Sequence, residues 1–248
     1  MELDPKYRYA LALRVLPLLD LTSLGEDDSP AKIETLCAAA RTPWGLPASV
    51  CVYPEHIGTV RRALATVRIA TVVNFPDGGE NRDRAVRETR RVIAAGADEI
   101  DLVFPYRALQ RGDQHAGAEL VRACRVACGP AVTLKLIVES GELTRPELIR
   151  QACEIGLGAG VDFLKTSTGK VPVNATPEAA MVMLHAIAEA GGRCGFKVAG
   201  GVRTLADAAL YLDLVESALG ASWISREHFR IGASALFGEL RAALQAPA

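Results

Sequence analysis

Short apolar runs recur along the chain at about residues 15–22, 49–53, 68–75, 99–105, 132–138, 162–167, 194–199 and 228–232, with helical spacing in most of the gaps. Each run reads as nearly continuous in apolar residues, the pattern of parallel strands covered on both faces. Between them, AVRETRRVIAAG (Ala85–Gly96) predicts a helix closed by a left-handed cap at Gly96. Helix starts are expected at Ser29 before Pro30, at Thr144 with Glu147 three residues on, and at Thr176 before Pro177. Eight strand–helix alternations in 248 residues fit a closed barrel better than an open doubly wound sheet. No linker or low-complexity stretch divides the chain, so residues 1–248 are expected to form one α/β domain, a single (β/α)8 TIM barrel.

A weak internal repeat locates candidate chemistry. GADEID (Gly96–Asp101), GVDFLK (Gly160–Lys165) and GRCGFK (Gly192–Lys197) each place a charged residue five positions after a helix-ending glycine. On a barrel strand a side chain faces either the helix layer or the interior, and a charge against the helix layer would be buried without water or partner. Asp101, Lys165 and Lys197 are therefore expected to point inward, at similar heights, toward the mouth.

Composition narrows the function. With 50% hydrophobic residues the chain can bury a sizeable core, while a net charge of −1 and 5% aromatics provide neither a basic field nor a stacking platform, which argues against nucleic acid as a partner. The run YALALRVLPLLDL is broken by Arg14, Pro17 and Asp20 and has neither the length of a membrane span nor the layout of a signal peptide, so a cytoplasmic protein without a membrane partner is expected. Six cysteines without CxxC spacing read as reduced thiols, and Cys124 and Cys128, which share a helix face, as core packing. His56, His115, His185 and His228 are spread singly, so no metal site is expected.

Of 28 basic residues only six are lysines: Lys6, Lys32, Lys135, Lys165, Lys170 and Lys197. Three of these lie inside apolar strand-like runs, where ordinary surface charge would not be put, and only lysine can shed its proton near neutral pH to act as an amine nucleophile. Lys165 is read as a Schiff-base nucleophile activated by desolvation and by Lys197 as a neighbouring cation. The alternative is a set of structural lysines paired with carboxylates inside the barrel. Strands 5, 6 and 7 carry few carboxylates, and unpaired buried charges are costly, so function is favoured. Asp101 is the carboxylate placed to balance these charges and pass protons; Asp20 is a second inward candidate, equally readable as structural, and Lys135 shares the pocket.

STGK (Ser167–Lys170), AGGVRT (Ala199–Thr204) and GASA (Gly232–Ala235) follow strands 6, 7 and 8. Loops after strands 7 and 8 of such barrels commonly bind phosphate through backbone N–H groups and a helix N-terminus, and Lys170 is a candidate point charge.

DFLKTSTGKVPVNATPE, GADEIDLVFPYRAL, LKLIVESGEL, GFKVAGGVRT, LLDLT and CVYP together resemble the deoxyribose-phosphate aldolase family over nearly the whole chain. The resemblance implies a TIM barrel that reversibly cleaves 2-deoxy-D-ribose 5-phosphate to acetaldehyde and D-glyceraldehyde 3-phosphate in deoxyribonucleoside catabolism, with no metal or other cofactor and with sugar phosphate and aldehyde as its partners. It implies Lys165 as the Schiff-base residue, Lys197 as the group that depresses its pKa and Asp101 as the proton relay. Gly169, Lys170, Gly200, Gly201, Gly232 and Ser234 match the family's phosphate-binding stretches, and Thr168, Asp20, Cys51 and Lys135 match residues lining its pocket. A pocket-lining Cys51 would be open to attack by unsaturated aldehydes. The family also suggests a homodimer.

Two departures stand out. Ala235 follows Ser234 where better-known members have a second serine, and the chain ends LQAPA where some members carry a terminal tyrosine that assists enamine protonation. The rival readings are another Schiff-base barrel aldolase or transaldolase acting on a ketose phosphate, set apart by whether acetaldehyde alone is trapped, and a non-catalytic phosphosugar-binding barrel, which would bind without turnover.

Overall fold

In the computed structural model, which describes residues 4–246, eight parallel strands close into one barrel in sequence order. They are β1 (Leu19–Ser23), β2 (Ser49–Val52), β3 (Arg68–Val73), β4 (Glu99–Val103), β5 (Thr133–Ile137), β6 (Phe163–Lys165), β7 (Gly195–Ala199) and β8 (Phe229–Ala233). Around them run α1 (Pro5–Val15), α2 (Pro30–Ala40), α3 (Ile57–Ala63), α4 (Arg82–Ala94), α5 (Tyr106–Gln110), α6 (Gln114–Cys128), α7 (Ser140–Leu143), α8 (Pro146–Ala159), α9 (Pro177–Glu189), α10 (Leu205–Leu219) and α11 (Leu236–Gln245). The (β/α)8 barrel read from the sequence is the observed architecture. Pro247 and Ala248 of the LQAPA end lie outside the described residues.

Three local readings change. The run at 15–22 is not one strand: α1 and a short 3-10 turn occupy it as far as Leu18, and β1 begins at Leu19. Thr144 does not start a helix; it follows α7 at φ 50°, and α8 starts at Pro146 with Arg145 as its N-cap. Proline explains this, since it fits the first helical position and forces the residue before it into extended backbone, here φ −87°, ψ 129°. The helix predicted over Ala85–Gly96 begins earlier, at Arg82, where the Asn81 side chain accepts the Arg84 N–H at 2.9 Å. Ser29 and Thr176 cap α2 and α9 as expected, accepting N–H groups from Lys32 and Ala179.

The strands alternate more strongly than their sequences suggest. Register aligns Leu136, Leu164, Phe196 and Phe229 as one outward row across β5 to β8, packed beneath the helices, where each contributes about 1.5–3 kcal/mol by burial. The residues between them face inward: Asp101 beside Lys135 on β4 and β5, and Lys165, Lys197 and Arg230 in line on β6, β7 and β8. Barrel interiors are usually filled by branched apolar side chains. Here the middle of the barrel is filled by charge.

Candidate active site

Asp101, Lys165 and Lys197 all point inward, as expected. Asp101 Oδ2 lies 2.7 Å from Lys165 Nζ and 2.8 Å from Lys197 Nζ. Lys165 and Lys197 are register partners, whereas Asp101 pairs with Lys135, one step lower; the stagger lets one carboxylate bridge both amines. Lys135 Nζ is 2.5 Å from Glu99 Oε2 and 3.0 Å from Asp101 Oδ1, and Asp20 Oδ2 is 2.6 Å from Lys197 Nζ. The lysines are thus paired after all, by carboxylates supplied from β1 and β4.

Pairing is incomplete in one respect. Four interior cations, Lys135, Lys165, Lys197 and Arg230, meet three carboxylates, Asp20, Glu99 and Asp101. Lys135 touches all three carboxylates, and Lys197 and Arg230 touch two each. Lys165 touches only Asp101, which it shares with two other lysines. Neutralising one cation relieves this excess, and Lys165 is the one with least to hold its proton. Burial, then the Lys197 charge, hold its amine below the ordinary lysine range against the pull of Asp101. Burial also disfavours charge on Lys197, but Asp101 and Asp20 outweigh it and push that ammonium up. Asp101 is opposed by burial yet held well below the usual carboxylate range by the three lysines. Of the two influences expected from the sequence, desolvation is therefore a larger cause of the Lys165 shift than Lys197.

Above this cluster, at the C-terminal ends of the strands, opens a cavity of about 480 Å³. Lys165, Thr168, Gly169, Lys170, Gly200, Gly201, Gly232 and Ser234 line it, together with Ala235. Asp20, Cys51, Asp101, Lys135 and Lys197 are fully buried and do not line it. Cys51 on β2 is no open target for aldehydes: it is sealed inside, and burial pushes its thiol up.

The glycines of the mouth have distinct causes. Gly200 stands at φ 86°, and a Cβ there would fall 2.7 Å from Asn174. Gly232 faces inward, where a Cβ would come within 2.9 Å of Lys197 Cε, so it makes room for the lysine as well as forming the mouth. The Lys170 N–H is accepted by Thr168 Oγ1 at 3.0 Å, and its ammonium reaches the Leu24 carbonyl, 2.7 Å away in the loop after β1.

Several site residues escaped the sequence reading. Glu99 and Arg230 complete the interior charge cluster; Arg230 binds Asp20 Oδ1 at 2.6 Å and Glu99 at 3.2 Å. Glu99 stands two residues before Asp101 and Arg230 two before Gly232, so strand alternation was the available signal. Lys32 and Arg203 bring further cations to the mouth; Arg203 belongs to AGGVRT, and Lys32 gave no signal beyond its charge. Glu139, fully buried just past β5, accepts the Thr168 N–H at 3.1 Å.

Among the described residues no group of three His, Cys, Asp or Glu side chains is placed to hold a metal ion, and no helix is long and apolar enough to cross a membrane. All six cysteines are buried and unpaired.

A barrel whose C-terminal mouth reaches a buried, under-paired lysine amine beneath glycine-rich loops has the architecture of an aldolase. The chain belongs to the DeoC/LacD family of aldolases, whose model matches residues 14–238. It is similar to a candidate deoxyribose-phosphate aldolase from Toxoplasma gondii ME49, solved in its apo form, at 25% identity over 98% of this chain and 99% of that one, with a TM-score of 0.91. A candidate deoxyribose-phosphate aldolase from Coccidioides immitis is 26% identical over 97% and 99% of the two chains, with a TM-score of 0.79. The tetrameric deoxyribose phosphate aldolase of Aeropyrum pernix, 23% identical over 95% of this chain and 91% of that one, shares the fold with a TM-score of 0.74.

Proposed function

We propose that this aldolase works through a Schiff base on Lys165 and reversibly cleaves 2-deoxy-D-ribose 5-phosphate to D-glyceraldehyde 3-phosphate and acetaldehyde. The observation that carries the reading is the position of Lys165, the interior cation with fewest carboxylates and the lysine of the interior cluster that reaches the cavity. Its amine attacks the aldehyde carbon, and the carbinolamine loses water to give an iminium. Asp101, bonded to both Lys165 and Lys197, is placed to pass the protons this requires. As the iminium withdraws electrons, the C3 hydroxyl loses its proton and the C2–C3 bond breaks. Glyceraldehyde 3-phosphate leaves, and an enamine stays on Lys165. Protonation of the enamine carbon and hydrolysis release acetaldehyde.

The phosphate sits over Gly200, Gly201 and Ser234, with Lys170 turning from the Leu24 carbonyl to meet it. Ala235 removes one hydroxyl from that cradle, and Lys32 and Arg203 keep cations around it. The neighbours described as deoxyribose-phosphate aldolases support this substrate. The test is borohydride reduction with acetaldehyde, then peptide mass mapping, beside an assay of deoxyribose 5-phosphate cleavage. A two-carbon adduct on Lys165 with turnover is the expected result. Turnover of a ketose phosphate with no acetaldehyde adduct would transfer the reading to that substrate class, and binding without any turnover would make the protein a sugar-phosphate binder.

A further inference from the structure

Among the buried carboxyls, Glu139 has neither a part in the steps above nor an ion-pair partner among the described residues. Glu139, the second residue beyond β5, is fully buried and adopts φ 58°, ψ 55°, a left-handed conformation uncommon for any residue but glycine. The interior carboxylates Asp20, Glu99 and Asp101 each have lysine or arginine partners, whereas Glu139 is ion-paired with none among the described residues. Its Oε1 accepts the Thr168 N–H at 3.1 Å, and its Oε2 is buried without a hydrogen-bond partner. Thr168 itself lines the cavity with Lys165.

The groups facing Glu139 are Lys165 from β6, which favours its charged form, Glu142 from α7, which disfavours it, and Tyr106 from α5. Burial is the largest influence and holds the carboxyl above the ordinary glutamate range. Asp20, Glu99 and Asp101 are all held low, so Glu139 is the buried carboxyl of this region best able to carry a proton.

A hydroxyl has one hydrogen to donate and two lone pairs to accept with. One lone pair of Thr168 Oγ1 already takes the Lys170 N–H. A protonated Glu139 would fill the other, leaving the hydroxyl hydrogen free to point into the cavity. An ionised Glu139 would claim that hydrogen and leave a lone pair for the cavity instead. With the unpartnered Oε2 turned to that hydroxyl, the protonation state of Glu139 would set whether Thr168 offers the bound substrate a donor or an acceptor.

We propose that Glu139 is the positioning residue and proton store for the enamine step, acting through the Thr168 hydroxyl. The enamine carbon takes the hydroxyl proton while that oxygen takes the Glu139 proton. The carbon–carbon π pair forms the new C–H bond, the nitrogen lone pair forms the C=N bond, and the products are the Lys165 iminium and the Glu139 carboxylate. Run backward, the same path removes a methyl proton from acetaldehyde bound as iminium. The inference rests on the Schiff-base reading but needs nothing of the phosphate site.

The test uses acetaldehyde alone in D2O with wild type, Glu139→Gln, Thr168→Val and Thr168→Ser, reading deuterium entry into the methyl group by NMR and the borohydride-trapped adduct by mass. Glutamine keeps an acceptor for the Thr168 N–H but cannot release or store the proton. In Glu139→Gln and Thr168→Val the ratio of deuterium entry to trapped adduct is expected to fall about 10²-fold. Thr168→Ser is expected to keep it. Glu139→Gln is also expected to lose the limb that Glu139 gives the pH profile of exchange, which a purely structural role would not move. Wild-type exchange and pH profile in Glu139→Gln overturn the inference. Should that variant fail to fold, undiminished exchange in Thr168→Val overturns it instead. Absence of any adduct in the wild type overturns the Schiff-base reading and this inference with it.

Discussion

The barrel opens into a cavity at each end, and the two ends hold different kinds of charge. At the N-terminal ends of the strands a cavity of about 1100 Å³ is lined by Arg68, Glu99, Phe163, Arg226 and Arg230 among others. Arg68 and Arg230 both meet Glu99, and Arg226 meets Glu227. Guanidinium groups stay charged at any working pH and cannot act as amine nucleophiles. The C-terminal cavity has less than half that volume, but it reaches a lysine whose proton is weakly held, ringed by glycine-rich backbone. Volume alone would choose the N-terminal end. What separates the two is whether a cation can become neutral and whether its surroundings favour that change.

Substitutions can break this contrast in graded steps. Lys165→Arg, which puts a guanidinium where the amine stands, is expected to remove the aldehyde adduct and cut turnover about 10⁴-fold or more, read by trapping and steady-state assay. Asp101→Asn takes one anion from beneath three lysines and is expected to cost about 3–5 kcal/mol in urea unfolding at neutral pH. The pH dependence follows the same network. Because Asp101 is held below its ordinary value of 3.8, the unfolded chain binds more protons between the folded value and 3.8. Its contribution is therefore present above that window and lost as pH falls through it, and Asp101→Asn should show a shallower acid loss than wild type.

Lys197→Leu removes a charge that opposes protonation of Lys165 and leaves Asp101 freer to hold that proton. The amine's pKa should rise, moving the acid limb of the rate profile to higher pH and lowering kcat/KM at neutral pH about 10²-fold. Lys170→Ala should raise KM for the phosphorylated sugar roughly 10- to 100-fold, the equivalent of about 1.5–3 kcal/mol for a charge-assisted bond, while slowing acetaldehyde trapping far less. The smallest effect belongs to the other mouth. Arg68 is about half exposed, and Glu99 keeps Lys135 and Arg230 without it. Arg68→Ala should cost under about 1 kcal/mol and leave trapping unchanged.

The chemistry-bearing strands were legible because lysine is scarce in this chain and arginine covers the surface. Lysines at 135, 165 and 197 inside apolar runs had no ordinary explanation, and the glycine-to-charge spacing put Asp101, Lys165 and Lys197 on one face. The counter-charges were harder to see. Glu99 and Arg230 sit at or near the starts of their strands, where a charged residue reads as the strand's solvated end; only closure of the barrel turns them inward onto Lys135 and Asp20. Glu139 was hidden for a different reason. It lies beyond the strand, in a left-handed conformation that no pattern of hydrophobicity announces, and its partner Thr168 comes from the loop after the next strand. The false start at Thr144 was avoidable, since Pro146 marks where the helix must begin.

The central claim is that the interior charge excess falls on Lys165. With only six lysines in the chain, 15N-lysine NMR gives a readable spectrum, and Lys165→Arg identifies the resonance by its loss. Titrated in the wild type, the Lys165 Nζ signal should lose its proton below the ordinary lysine value of 10.5, while Lys197 and Lys135 stay charged through that range. A Lys165 that titrates at or above 10.5, or a Lys197 that releases its proton first, would contradict the account.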